Sequence, residues 1–199
     1  MKGSASRGEA RRDTIAQAAL AVFLERGFGA SVDDVAQAAG ASKQTIYRFF
    51  GGREGLIRAA MALELEAVIG PMRRAASLEA PPAEKLAAFA EAYQETLFAD
   101  SCMTMYRFVI GSARGHPALS TIFNEAVMDY VIGLVAPTIA DATASSGPRS
   151  LALAEMYVGI LQGAELNRVL AGLPADPARL ATLRVDAVRA VLAAPSRSE

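Results

Sequence analysis

The segment SVDDVAQAAGASKQTIYRFF, which runs from Ser31 to Phe50, reads as two short helices joined by a glycine-centred turn. Ser31 is placed to cap the first helix, because a serine side chain can accept a hydrogen bond from a backbone N–H of the first turn. Asp34, three residues further on, completes a pattern that resembles a capping box. Gly40 can adopt the left-handed backbone that ends a helix, and Ser42 is placed to cap the second helix. This order of caps and turn predicts a helix-turn-helix, whose second helix lies in the major groove of DNA.

The second helix of this segment has an apolar face and a donor-rich face. The apolar face comprises Ile46, Phe49 and Phe50. The opposite face offers side chains of the kind that contact phosphates and base edges. A solvated face would need the same polarity, but the agreement of caps, turn and apolar face favours DNA binding. The outward residues are Lys43, Gln44, Thr45, Tyr47 and Arg48.

Residues 11–58 resemble the DNA-binding domain of the TetR (tetracycline repressor-like) regulators. The resemblance rests on Ile15, Ala18, Ala19, Phe23, Gly27, Phe28, Val35, Ala36, Ala39, Gly40, Ser42, Thr45, Ile46, Tyr47, Phe50, Arg53, Glu54 and Leu56. In this family the positions of Ser31, Tyr47 and Arg53 hold phosphates. Those of Lys43, Gln44 and Thr45 approach bases. With the other outward residues, the predicted interface with double-stranded operator DNA comprises Ser31, Ser42, Lys43, Gln44, Thr45, Tyr47, Arg48 and Arg53.

Two positions depart from the family pattern. The family usually has lysine where this chain has Arg53, a change that keeps the charge and alters the geometry of the donor group. It usually has Ser, Asn or Asp just before that residue, where this chain has Gly51-Gly52. Glycine is an acceptable N-cap at a cost of a few tenths of a kcal/mol relative to serine.

Composition and charge favour a helical, cytoplasmic DNA-binding protein. Of the 199 residues 52% are hydrophobic, alanine is abundant, and strand-like alternation is scarce, so an all-α fold is expected. No apolar run is long enough to cross a membrane, so no membrane partner is expected. Residues 1–58 carry nine basic and six acidic residues, whereas the remainder carries eleven and fifteen. The basic end is therefore the one that holds the helix-turn-helix, as attraction to phosphates requires.

Enzymatic and metal-binding functions find little support in the sequence. The chain has one cysteine and one histidine, so neither an internal disulfide nor the usual kind of zinc site can be assembled. It also lacks a phosphate-binding glycine loop after a strand. We therefore expect no catalytic residues, no metal and no cofactor.

Proline and glycine positions divide the chain into about nine helices. We expect an N-terminal arm and three-helix DNA-binding domain over 1–58, followed by a C-terminal helical bundle over 59–199. The fourth helix is expected to run from Arg53 to Ile69 and to stop at Gly70-Pro71. Pro137 is expected to kink or end the seventh helix. The last two helices are expected at about 149–171 and 177–193.

The last two helices are candidates for a homodimer interface. Their apolar stripes could close the core of the chain itself, but small and apolar residues also lie outside the stripes, which favours a partner. In the TetR family these helices pair with their copies. Gly159 and Gly163 would allow close approach. The predicted interface residues are Leu151, Val158, Leu161, Leu180, Leu183 and Val188.

Aromatic and methionine side chains concentrate in the middle helices. At helical spacing such residues usually form core, although bundle interiors of this composition can also hold an apolar ligand. The resemblance implies a small-molecule effector in this region. The candidate pocket residues are Phe89, Tyr93, Met103, Tyr106, Phe123, Met128, Met156 and Tyr157.

Together these features predict a ligand-responsive transcriptional regulator. It is expected to be a repressor that releases a palindromic operator when a small apolar or amphipathic effector binds. The alternative is a helical module that binds a ligand or a partner and no longer binds DNA.

Overall fold

The chain folds into α-helices connected by short turns. The computed structural model describes residues 3–27, 29–114, 120–121 and 123–194, and it leaves the side chains of 3–7, 64–67, 112, 125 and 126 undescribed. No strand occurs in this part of the chain, in agreement with the all-α prediction. A π-helical segment, Asn124–Asp129, directly precedes the seventh α-helix. The α-helices are α1 (Gly3–Arg26), α2 (Val32–Ala38), α3 (Lys43–Phe50), α4 (Arg53–Ala76), α5 (Pro82–Leu97), α6 (Asp100–Ser112), α7 (Tyr130–Thr143), α8 (Pro148–Leu170) and α9 (Pro177–Leu192).

The backbone divides into two compact units. One comprises Met1–Ala67 and Thr104–Phe123, and the other comprises Val68–Met103 and Asn124–Glu199. The first unit contains the helix-turn-helix, formed by α2 and α3 and followed by the start of α4. The domain boundary expected at residue 58 stays a prediction.

The core of the first unit is built from the apolar stripe of α1 and the inner faces of α2 and α3. Ile15, Ala19 and Phe23 of α1, which are among the residues that carry the family resemblance, are buried. Val35 of α2 and Ile46 of α3 are each fully buried. Burying an aliphatic side chain of this size contributes about 1.5–3 kcal/mol, so this small core holds α3 against the two preceding helices.

The second unit is a bundle in which α5, α7, α8 and α9 pack together. Its largest fully buried side chains include Phe89 of α5 and Tyr157 of α8. The final helices α8 and α9 occupy the predicted ranges to within one residue at each end.

Two prolines among the described residues lie inside helices, and the expectation for one of them is wrong. The fourth helix does not stop at Gly70-Pro71 but continues to Ala76. An internal proline costs about 3 kcal/mol through a lost hydrogen bond and a steric clash. Here Met72 and Ala75 continue the buried stripe of Ile69 beyond the proline, and their burial offsets that cost. Helix α7 likewise continues through Pro137 to Thr143.

Within the described residues, no single helix has the length and apolar composition needed to span a bilayer. One bent pair, Val127–Thr143 with Pro148–Leu170, meets that test only when its two segments are taken together, and they are inclined by 111°.

Candidate nucleic-acid interface and helical sensor core

Both helices of the helix-turn-helix begin with the predicted serine caps. Ser31 accepts a hydrogen bond from the backbone N–H of Asp34, whose carboxylate in turn accepts one from the backbone N–H of Ser31. This reciprocal pair confirms the capping box. The hydrogen bond from the Ser31 hydroxyl, assisted by the Ser31 backbone N–H and by Arg26, lowers the pKa of the Asp34 carboxyl. Ser42 caps α3 by accepting from the backbone N–H of Thr45 at 3.1 Å.

The hydroxyls of the two caps are therefore already engaged in the free protein. The hydroxyl of Ser31 donates to Asp34, and the oxygens of Ser42 and Thr45 lie 2.8 Å apart. These contacts fix the first turns of both helices. A hydroxyl that accepts a capping bond retains capacity for a phosphate or base contact only through its remaining lone pair and proton.

Helix α1 holds the turn between α2 and α3. Gly40 has φ +54°, which confirms the left-handed conformation expected after α2. Nη2 of Arg11 donates to the Gly40 carbonyl oxygen at 2.7 Å. The guanidinium of Arg12 lies 5.3 Å from the centre of the Phe50 ring. Both arginines thus belong to α1 and contact the domain itself.

Helix α3 presents the expected donor-rich surface. Its outward side chains lie around a shallow concavity of about 460 Å³ lined by Gln44, Thr45, Tyr47 and Arg48. Thr45 is half-buried, whereas the other three are exposed. Because the inner face of α3 is anchored by buried Ile46, this outer surface has a defined orientation on the domain.

Lys43, the first residue of α3, is tied to α2. Its Nζ lies 3.0 Å from Oδ2 of Asp33, and both side chains are largely exposed. The hydrogen bond and the charge of Asp33 raise the pKa of the Lys43 ammonium. The pair joins the two helices of the motif across the turn.

The entry to α4 depends on glycine at three positions. Gly51 and Gly52 have φ of +72° and +129°, respectively, a region that residues with a Cβ rarely adopt. A Cβ on Gly55 would lie 1.8 Å from the carbonyl oxygen of Phe50. The Gly-Gly departure from the family pattern therefore has a backbone explanation: this chain turns from α3 into α4 through two consecutive positive-φ residues. Arg53, the first residue of α4, is half-buried.

The predicted pocket residues fall into two groups. Tyr106 and Phe123, in the first unit, contact each other edge to face with ring centres 4.9 Å apart. In the second unit, Phe89 lies 6.5 Å from Tyr93 and 6.2 Å from Tyr157, measured between ring centres. The remaining three candidates also lie in the second unit. Met103 is buried, Met128 is half-buried, and Met156 on α8 is 39% exposed.

Three hydrogen bonds fix the aromatic residues of the second unit and the helices around them. The Tyr157 hydroxyl donates to the carbonyl of Leu86, and burial raises the pKa of Tyr157. Nε2 of Gln162 donates to the Tyr93 hydroxyl at 2.8 Å. Nε2 of Gln94, a buried side chain, donates to the Leu161 carbonyl at 2.9 Å.

Gln94 lies beside a break in α8. The backbone at Gly163 is non-helical, with φ 50° and ψ −161°. The Leu161 carbonyl, to which Gln94 donates, lies two residues before this break. Oε1 of Gln94 accepts from Nη1 of Arg184 on α9 at 2.9 Å. A Cβ on Gly163 would lie 2.9 Å from Cδ1 of Leu183, so the expected close approach is present at this glycine.

Comparison with known proteins identifies both parts of the chain. Residues 15–60 match the sequence model of the bacterial regulatory proteins of the tetR family. Residues 84–194 match that of the C-terminal domain of AefR-like transcriptional repressors. The chain belongs to the TetR family. The recognised resemblance is thereby confirmed, and the matched families are regulators rather than enzymes.

Solved structures of TetR-family regulators share this fold. A protein from Mesorhizobium loti assigned to the TetR-family transcriptional regulators is 24% identical, with a TM-score of 0.79 over 94% of this chain and 97% of that one. The flavonoid-responsive regulator FrrA is 23% identical, with a TM-score of 0.73 over 92% and 96%. FadR from Bacillus halodurans, a fatty acid degradation regulator, is 20% identical, with a TM-score of 0.65 over 96% of each chain. No curated protein matches the sequence.

Within this TetR-family chain, the predicted dimer residues differ in exposure. Val158 and Leu161 are buried in the protomer, whereas Leu151 is 45% exposed. Leu180, Leu183 and Val188 are half-buried. On α8, Leu151 shares its exposure with Ala152, Met156 and Gly159, and a Cβ on Gly159 would meet nothing within 4 Å. The interface assignment stays a prediction.

Sequence reasoning missed two buried polar residues of the second unit. Gln94 and Glu165 are 1% and 2% exposed, and each occupies a position within the apolar stripe of its helix. Oε1 of Glu165 accepts from the backbone N–H of Asp176 at 2.9 Å, which ties α8 to the start of α9. A polar residue in an apolar stripe was the available clue. Among the described residues, no three His, Cys, Asp or Glu side chains come together as a metal site would require.

Proposed function

We propose that this TetR-family protein is a homodimeric repressor that binds a palindromic operator and releases it when a small effector binds. The supporting observation is the outer surface of α3, where exposed donors are backed by a buried apolar face and two capped helix starts. Two such helices, one from each protomer, would read half-sites one DNA turn, about 34 Å, apart. This function places the protein in the cytoplasm with the DNA.

The roles of the interface residues follow from their positions. Lys43, Gln44 and Thr45 lie in the first turn of α3, the part of a recognition helix that faces base edges. Tyr47 and Arg48 lie further along the same exposed surface, where phosphate contacts are expected. Ser31, Ser42 and Arg53 lie at the starts of α2, α3 and α4, and backbone N–H groups at helix starts favour anions.

The proposed effector is an apolar or amphipathic small molecule. Support comes from the buried aromatic side chains of α5 and α8, because small-molecule sites are lined mostly by apolar and aromatic side chains. The name of FrrA refers to flavonoids, and that of FadR refers to fatty acid degradation. Flavonoids and fatty acids are both apolar or amphipathic small molecules. The effector would stabilise a conformation in which α4 moves the two DNA-binding domains out of register with successive major grooves.

Selection from a random duplex library at near-physiological salt tests DNA recognition. We expect enrichment of a palindrome, followed by loss of binding when flavonoids or long-chain acyl compounds that bind the protein are added. Equal operator affinity with and without a bound effector would refute the proposed switch. Absence of enrichment by folded, ligand-free dimer would favour the helical module that no longer binds DNA.

Substitutions within the interface test the division of roles. Lys43→Ala and Gln44→Ala should reduce discrimination between operator and non-operator duplexes by roughly 5–150-fold, since a good base contact contributes about 1–3 kcal/mol. Arg53→Ala should weaken binding to all duplexes and reduce the slope of log K against log salt by about 0.9. A uniform loss in all three variants would contradict this division.

A further inference from the structure

The ion pair between Asp33 and Lys43 combines an acidic group with a proposed base-reading residue. Asp33 is the second residue of α2 and Lys43 is the first residue of α3. Their side chains meet at 3.0 Å across the turn while remaining 68% and 55% exposed, respectively. The pair is therefore part of the same surface as the outer face of α3.

The two acidic residues at the start of α2 have different tasks. Asp34 completes the capping box and contacts Arg26 at 3.2 Å, so it stabilises the fold locally. The exposed carboxylate of Asp33 instead reaches across to α3. An exposed ion pair contributes little to folding stability. Its position beside a candidate DNA contact therefore calls for a role in binding.

Non-operator DNA attracts the protein almost entirely through its phosphates. A lysine bound to a carboxylate has one of its three donors occupied and its charge balanced. Non-specific binding therefore loses the attraction between the Lys43 charge and the phosphates. At the operator, the remaining two donors of Lys43 can still reach acceptors on base edges, because the pair is exposed beside the first turn of α3.

We propose that Asp33 is a specificity-determining residue that positions Lys43 for base contact and withholds its charge from phosphates. This inference rests on the proposed function, in which α3 reads operator DNA. Asp33 acts through Lys43 and needs no contact with DNA of its own.

Asp33→Asn tests the proposal, because it removes the charge and keeps the shape. Affinities for the selected operator and for a scrambled duplex are measured by fluorescence anisotropy between about 50 and 200 mM salt. For the scrambled duplex, we expect the slope of log K against log salt to steepen by about 0.9, the value for one additional phosphate contact. If the variant and the parent bind the scrambled duplex equally at 1 M salt, a slope steeper by about 0.9 makes the variant bind about five-fold more tightly at 0.15 M. Operator affinity should rise by less, so the specificity ratio should fall by up to about five-fold.

Two controls separate this effect from a general change of charge. Asp13→Asn removes an exposed acidic charge from α1 of the same unit, and we expect it to leave the specificity ratio unchanged. Asp33→Asn made in a Lys43→Gln background should have no further effect on the ratio or the salt slope. Thermal unfolding verifies that each variant is folded.

The outcomes distinguish this inference from the function on which it rests. Salt-dependent operator binding by the parent protein, with an unchanged specificity ratio in Asp33→Asn, would overturn the role of Asp33 and leave the proposed function intact. Persistence of the Asp33→Asn effect without Lys43 would also overturn it. No binding of the parent protein to any duplex would refute the proposed function and the inference with it.

Discussion

Replacing Gly163 by alanine should destabilise the second unit, and the structure provides its control on the same helix. At Gly163 the backbone has φ 50° and ψ −161°. A residue with a Cβ in a conformation of this kind costs about 1–3 kcal/mol. The added Cβ would also lie 2.9 Å and 3.1 Å from the two terminal carbons of Leu183. Those carbons end a flexible side chain, so their displacement adds about 1 kcal/mol, the lower end of overpacking costs.

Straightening of α8 would not remove this cost. A continuous helix would move the Leu161 carbonyl away from its present position, in which it accepts from the buried Nε2 of Gln94 at 2.9 Å. An unsatisfied buried donor costs about 1–3 kcal/mol. The strained backbone therefore predicts a loss of about 2–4 kcal/mol and the straightened helix a loss of about 1–3 kcal/mol. For a protein of this size, a loss of about 1–4 kcal/mol lowers Tm by roughly 2–16 °C.

Gly159→Ala is the control on the same helix, and analytical ultracentrifugation verifies that it keeps the oligomeric state of the parent, because Gly159 lies on the exposed face of α8. A Cβ at that position meets nothing within 4 Å, and alanine is favoured over glycine inside a helix by up to about 1 kcal/mol. Both variants are compared with the parent by circular dichroism, in thermal and urea unfolding. One fixed protein concentration is used, because the stability of the proposed dimer would depend on concentration. Gly163→Ala should be the less stable of the two. Equal stability of the two variants would refute the argument. In a Leu183→Ala background, Gly163→Ala should lose about 1 kcal/mol less stability than in the parent, because only the steric part of its cost is removed.

Three further substitutions test the local explanations. Gly55→Ala should destabilise the DNA-binding unit by at least about 3 kcal/mol, because its Cβ meets the Phe50 backbone. Gly29→Ala, whose Cβ would meet nothing within 4 Å, should be nearly neutral. Equal urea midpoints of the two variants would contradict the predicted clash at Gly55. Gln94→Ala should cost about 1–3 kcal/mol in urea unfolding by removing the partner of a carbonyl at the helix break; an unchanged midpoint would show that the carbonyl finds another partner. Asp34 has a lowered pKa in the folded protein, so its stabilising effect should be complete above about pH 4 and lost as the pH falls through its folded pKa. The Tm difference between the parent and Asp34→Asn should therefore vanish in acid, and a difference constant with pH would contradict it.

Local features of the DNA-binding unit could be predicted from sequence because short-range geometry determines them. A serine three residues before a capping partner, and a glycine at the end of a helix, specify their own hydrogen bonds and backbone angles. The caps of α2 and α3 and the positive φ of Gly40 accordingly match the prediction. The hydrogen bond from Arg11 to Gly40 joins residues 29 positions apart, and no local pattern indicates it.

The second unit could be predicted less completely because its details depend on packing between distant helices. Helix ends at α8 and α9 follow from proline and glycine positions, but the extension of α4 through Pro71 depends on what Met72 packs against. Gly163 was expected to allow close approach, and it does so with Leu183. Its non-helical backbone, and the Gln94 side chain that satisfies the break, become visible only when α5, α8 and α9 are placed together.

The division of labour on α3 bears on how the protein could evolve. Ile46 and Phe50 anchor the helix, and Ser42 starts it, whereas Lys43 and Gln44 lie on its exposed side. Substitutions at exposed positions usually change stability by no more than about 0.5 kcal/mol. Under the proposed function, a lineage can therefore change to a new operator through these two positions while keeping its fold, and the same positions are where a designer would randomise the protein to retarget it.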